Sequence, residues 1–220
     1  MLATHATAIG HASILFIDVI ILVIALRLMS RGIRETILRE RMLFAVLACT
    51  AILGRWAFAA IPNVQPVTIL MIMAGSLLGW RRGVGMALLV TIVSNVQLGT
   101  GLWTIFQALG WALVAVIGAV FSDKFISDDG HFKIKPILLA GIITAFAFDW
   151  IVSLSLLPTI ADLGAFTTYL VAGLPYDILH AFGNITFALW LVPSLNLLLD
   201  RSGWQAPEKI ASASKVNAVV

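Results

Sequence analysis

The sequence predicts an all-α integral membrane protein, a six-helix membrane core preceded by one additional N-terminal transmembrane helix, and three observations predict it. Of its 220 residues, 60% are hydrophobic and 11% charged, too little charge to cover the surface of a soluble domain. The apolar residues gather into runs near the roughly 20 residues that a helix needs to cross a hydrocarbon core of about 30 Å. Of the 14 Lys and Arg residues, all but Arg55 fall in connections that a seven-span path places on one side. The pI near 9.4 therefore reports membrane orientation, with no nucleic-acid partner implied.

The first run extends from Ala12 to Leu28, interrupted by Asp18 and preceded by Met1 to Gly10 without a Lys or Arg. A secretory signal starts basic, so this run reads as an uncleaved anchor. Arg27, Arg31, Arg34, Arg39 and Arg41 follow and place the linker in the cytoplasm, closing a first unit over 1–40. Met42 to Ile61 is the next span, ended by Pro62 and Pro66, which leave Asn63 to Gln65 extended. Pro66 to Trp80 and Val84 to Gln97 flank a cytoplasmic turn at Arg81 and Arg82. Both are shorter than a usual span, so one or both are expected to start below the outer surface and help form a recess.

Leu102 to Phe121 spans again, and Ser122 to Lys135, with Asp123, Lys124, Asp128, Asp129, Lys133 and Lys135, forms a polar cytoplasmic loop. Ile137 to Leu157 spans next, and Pro158 to Leu174 reads as an outer connection. Pro175 suits the first turn of a last span that ends at Leu199 and bends at Pro193. The core unit is thus 41–199, and 200–220 is expected to be a disordered cytoplasmic tail. The path puts the amino end outside and the carboxyl end in the cytoplasm of a multi-pass protein of the cell membrane.

The one cysteine, Cys49, supports no disulfide framework and reads as a buried small hydrophobe. There is no Gly-rich phosphate loop ending in Gly-Lys-Ser/Thr, so the chain is not expected to hydrolyse ATP, and no cofactor is called for. Asn63, Gln65, Asn95, Gln97 and Gln107, with Trp103, mark the outer ends of apolar segments as an uncharged hydrogen-bonding rim for a small polar molecule. Trp103, Gln107 and Trp111 recur on one helical face.

Ionisable residues inside spans are functional candidates, and here these are Arg55, Asp149, Asp177 and His180. Arg55 is close enough to its helix end to snorkel outward, and Asp149 is able to balance it. Asp177, His180 and Asn184 share a helical face, with Tyr176 beside them. Asp177 and His180 read as a hydrogen-bonded pair ahead of a metal site. Ala108, Ala112, Ala115 and Ala119 form a small-residue stripe for close helix contact, within the chain or with another subunit.

Taken together, Gly54-Arg55, Ile61-Pro62-Asn63-Val64-Gln65-Pro66-Val67-Thr68, Ser94-Asn95 and Gly101-Leu102-Trp103-Thr104-Ile105-Phe106-Gln107 resemble the substrate-binding S component of energy-coupling factor vitamin transporters. The likeness covers roughly Arg41 to Leu199. It implies a six-helix membrane fold that binds a vitamin from outside and associates with a transmembrane coupling subunit and two ATPase subunits. The proline-flanked loop is most similar to that of the cobalamin-type branch. The family's Ala-x-x-x-Ala partner-contact motif falls here on Ala45 and Cys49, with Ala48 one residue earlier. Two other readings compete: a membrane-embedded enzyme using Asp149, Asp177 and His180 as acid and base groups, and a membrane scaffold built on the small-residue stripes.

Overall fold

A helix that is apolar on every side has to be enclosed by others, and 67–78 is that helix. In the computed structural model, which describes residues 10–30 and 38–202, every residue of this stretch is buried. It is the first arm of α3 (Val67–Leu98). Around it stand α1 (His11–Ser30), α2 (Leu38–Ala57), α4 (Leu102–Val120), the single turn α5 (Ser122–Phe125), α6 (Ile134–Ser153) with a 3₁₀ continuation over Leu154–Thr159, and α7 (Leu163–Ser202). Among the described residues there is no strand, only an isolated bridge between Ile126 and Phe132. Five helices, α1, α3, α4, α6 and α7, are long and apolar enough to cross a membrane, which fits a multi-pass membrane protein.

The helices do not map one to one onto six plus one. The spans expected at 66–80 and 84–97 form a single element broken at Gly79, whose φ of +78° is open to glycine and strained for other residues. The two arms lie back to back: Arg55 bonds Gln65, just before the first arm, and Ser94 and Asn95, near the end of the second. Gly75 and Gly83 are where the arms touch, since a Cβ on Gly83 would come 3.0 Å from the Gly75 Cα. The last span also differs. It starts at Leu163, so the expected outer connection is largely helical and Pro175 lies well inside α7, where a membrane helix tolerates it because neighbouring helices satisfy the freed carbonyl. Asp162 starts this helix by accepting the Ala165 amide at 2.8 Å. α7 runs to Ser202, so 200–202, expected to open the tail, are helical; residues from 203 on, Arg31 and Arg34 lie outside the described residues.

The small residues of α4 are spent inside the chain. A Cβ on Gly75 would strike the Ala115 carbonyl oxygen, and one on Gly118 the Ile72 carbonyl oxygen. Ala108 and Ala115 are buried, and Ala112 and Ala119 are half-buried, Ala112 packing on the core. The stripe, open to a helix of the chain or of another subunit, thus seats α4 on α3 at close range. On α2 the expected contact residues divide: Ala48 is buried, whereas Ala45 and Cys49 are exposed. Cys49 is therefore not the buried hydrophobe expected of it.

At the far end from Arg55, Arg82 pairs with Glu40 at 2.6 Å and ties the second arm of α3 to the start of α2. The 126–133 loop is held to α7 by Asn196, whose amide accepts from the Phe132 N–H at 2.8 Å and donates to its carbonyl at 3.1 Å. His131 sits between Asp129 (2.9 Å) and Asp200 (2.7 Å). The Ser127 hydroxyl, and then His131, lower the Asp129 carboxyl to about 2, while hydrogen bonds to Asp129 and Asp200 raise His131 above its ordinary 6.5. A raised imidazole contributes stability that is present below its unfolded value and lost as pH rises through its folded value. The unfolding temperature should therefore fall as pH is taken from about 6 to about 8, and His131→Asn should remove that part of the dependence. A thermal scan in which both proteins keep the same slope would show that the clamp does not form.

Candidate functional site

Two polar networks lie at the Arg55 end of the bundle, joined by a stack of rings. The first is centred on Arg55, which the last turn of α2 directs inward until only 4% of the residue is exposed. Its Nε donates to Gln65 Oε1 at 3.0 Å, and its Nη1 donates to Ser94 Oγ at 2.5 Å and to Asn95 Oδ1 at 2.9 Å. The guanidinium carbon stands 4.7 Å from the centre of the Trp111 ring, a cation–π contact. Asn95 passes the network on, donating to Thr104 Oγ1 at 3.2 Å and Gln107 Oε1 at 3.0 Å. Trp56 Nε1 donates to the Ser94 carbonyl at 3.1 Å.

Among the described residues, no carboxylate pairs with Arg55. The arrangement differs from the expected one in two ways. The carboxamides form a shell around a buried cation and not a charge-free rim, and Asp149 does not balance Arg55. Gln97 is exposed and outside this network. Trp103 lies across Gly101, where a Cβ would meet its ring.

The second network draws on α3, α6 and α7. His180 Nδ1 is 2.9 Å from Asp149 Oδ2, and Nε2 is 3.0 Å from Thr68 Oγ1. An ionised carboxylate only accepts, which puts the proton on Nδ1; in the neutral ring Nε2 then accepts from Thr68. Asp177 Oδ2 accepts from Trp150 Nε1 at 3.0 Å. The pair expected between Asp177 and His180 is thus replaced by Asp177 with Trp150 and His180 with Asp149. Asn184 donates to the Gly141 carbonyl at 2.9 Å, and Asn63 donates to the Tyr176 carbonyl at 3.4 Å.

Trp111 stacks on Phe148 at 4.8 Å and Phe148 meets His180 edge-on at 5.6 Å, so the rings run from one network to the other. The buried Trp111 Nε1 has no hydrogen-bond partner among the described residues. Beside the second network is a recess of about 210 Å³, walled by Asn63, Asp149, Trp150, Tyr169, Tyr176 and Asp177. A second hollow of about 190 Å³ lies against Trp103 and shares Val152, Ser153 and Tyr169 with it.

Thr68, Trp150 and Tyr169 have site positions that sequence reasoning missed. Thr68 had a usable signal, a hydroxyl two residues after Pro66 in an apolar stretch that would otherwise leave it unpaired. Among the described residues, no group of three His, Cys, Asp or Glu side chains could hold a metal ion. No family model, curated protein or solved structure matches the chain.

Proposed function

We propose that this chain is the substrate-binding subunit of an energy-coupling factor transporter, taking a small vitamin or related micronutrient from outside for import by a transmembrane coupling subunit and two ATPase subunits. One observation carries the reading. Arg55, Gln65, Asn95 and Gln107 on one side, and Thr68, Asp149, Asp177 and His180 on the other, come together at one end of an apolar bundle, next to a recess. Converging polar groups beside a hollow are what a small-molecule site requires.

The positive-inside rule turns that end outward. Segments 58–66, 99–101 and 154–162 contain no Lys or Arg, whereas Arg82, Lys124, Lys133 and Lys135 lie toward the other end. With the arms of α3 counted separately, α2, the two arms, α4, α6 and α7 make the six-span core, with α1 preceding it. The amino end is then outside and the carboxyl end in the cytoplasm. The recess, at about 210 Å³, is below the roughly 300–1,000 Å³ of pockets for drug-sized ligands, which favours a small vitamin over cobalamin.

The test is thermal unfolding of the purified chain against a panel of cationic, neutral and anionic vitamins. A bound ligand at about 100 times its Kd should add about 2.7 kcal/mol of stability. A protein that purifies empty and responds to no member of the panel would end this reading.

The order Thr68, His180, Asp149 favours a second reading, a membrane-embedded hydrolase, because a carboxylate orienting an imidazole against a hydroxyl is the arrangement that activates a nucleophile. Against it, Thr68 is only 1% exposed. Labelling by a fluorophosphonate probe that is lost in Thr68→Val would support the hydrolase; absence of labelling would leave the capture reading.

A further inference from the structure

The recess between α6 and α7 has a chemical character that narrows what it takes. Two of its walls are carboxylates, Asp149 and Asp177, and three are aromatic, Trp150, Tyr169 and Tyr176. Among the described residues, no Lys, Arg or His lines it. Each carboxylate has one oxygen engaged, Asp149 Oδ2 with His180 and Asp177 Oδ2 with Trp150. Among the described residues the Oδ1 atoms have no hydrogen-bond partner, and neither belongs to the buried atoms left without one. His180 meets Asp149 through Nδ1 and is not among the residues lining the recess, so it orients this carboxylate without entering the hollow.

We infer that the recess lined by Asp149, Asp177, Trp150, Tyr169 and Tyr176 binds the positively charged end of its substrate, a small organic cation such as an ammonium or a cationic heterocycle; this rests on the capture reading. The physical reasons are independent of one another. Two carboxylates facing one hollow repel each other, and a cation between them relieves that repulsion while keeping both ionised. Aromatic faces attract a cation through the ring quadrupole, more strongly once water is displaced. The approach has the same sign: the outer connections carry Asp162 and no Lys or Arg, so the field at the entrance draws cations and turns anions away. Arg55, the one Lys or Arg at this end among the described residues, is 4% exposed and engaged with Gln65, Ser94 and Asn95, and it does not line the recess.

The experiment compares matched probes on the full chain in lipid nanodiscs, read by unfolding temperature and calorimetric affinity. Choline and thiamine are the cationic probes, 3,3-dimethylbutan-1-ol the neutral isostere of choline, and riboflavin, biotin and pantothenate the neutral and anionic vitamins. At least one cationic probe should bind, the neutral isostere should not, and Asp177→Asn should raise the Kd of the cation at least tenfold. Asn keeps an acceptor for Trp150, so the variant should unfold near the wild-type temperature without ligand, which separates lost binding from lost folding. Binding of choline and its neutral isostere with equal affinity, or an unchanged Kd in Asp177→Asn, would overturn the cation assignment. A neutral or anionic vitamin that stabilises the protein when no cation does would also overturn it and leave the capture reading in place. A panel with no binder at all would remove both.

Discussion

Arg55→Met should lower the unfolding temperature of the purified protein by about 4 to 12 °C. Among the described residues the guanidinium is the one α2 group that bonds the side chains of Gln65, Ser94 and Asn95, Trp56 reaching only the Ser94 carbonyl, and a thioether of similar length fills the space without donating. Ser94 loses least, because its hydroxyl also lies against the Val90 carbonyl at 2.5 Å, and Gln65 is exposed enough to find water. Asn95 is 1% exposed, so its Oδ1 stays unpaired. An orphaned buried acceptor costs about 1 to 3 kcal/mol. The lost charge-assisted bonds take the total to about 2 to 3 kcal/mol once the relieved desolvation of the cation is set against them. At roughly 2 to 4 °C per kcal/mol for a chain of this size, the stated shift follows.

Arg55→Lys should fall between the two, since one ammonium cannot serve Nε and Nη1 positions at once. If Arg55→Met unfolds with the wild type, the network does not hold the helix ends together, and Arg55 is free to serve a ligand directly.

The parts of the fold legible in the sequence were those set by hydropathy and charge. Run lengths located the helices, and Arg81 with Arg82 located the reversal that the structure places at Gly79, because a chain leaving a membrane on the basic side has to turn within a few residues. Pro175 misled for a physical reason. In water a proline deep in a helix leaves a carbonyl that competes for solvent, so a first-turn position is the better expectation; among packed membrane helices that cost is met by neighbours, and α7 continues through it.

The site was half legible. Arg55, Asp149, Asp177 and His180 stand out because charge is costly in a span, but which of them pair depends on helix rotations that spacing along one helix does not contain. His180 turned to Asp149 on α6 and Thr68 on α3 instead of Asp177 on its own helix. Trp150 and Tyr169 were not legible, because a surface aromatic in a membrane helix reads equally as an interfacial anchor.

Purified alone in proteoliposomes, the chain should bind its substrate and accumulate none; with the coupling subunit, two ATPase subunits and ATP, accumulation should appear. The reason lies in the inner half of the bundle. The central arm 67–78 is buried on all sides by apolar neighbours, and its one deep hydroxyl, Ser76, is occupied by the Ile72 and Gly118 carbonyls at 2.8 and 2.9 Å. Of the charges at the inner end, Glu40 and Arg82 are paired at 2.6 Å, and among the described residues no ionisable side chain on the α3 arms or α4 bridges from that end to Arg55. An ion-driven cycle needs such groups through the membrane. On the capture reading, a chain whose described residues show no such relay on α3 or α4 should take its energy through contact with its partner subunits.

The surface suited to that contact is on α2, where Met42, Ala45, Val46, Cys49 and Leu53 share one exposed face. Ala45 and Cys49 let another helix approach closely there, whereas the α4 stripe is already packed against α3. Ala45→Trp should therefore abolish accumulation in the full assembly and leave the Kd of the isolated chain within about twofold, since among the described residues nothing covers that face; RT at 25 °C makes twofold a difference of only about 0.4 kcal/mol. Accumulation by the chain alone would refute energy supply by partners, and full uptake by the Ala45→Trp assembly would move the contact off α2.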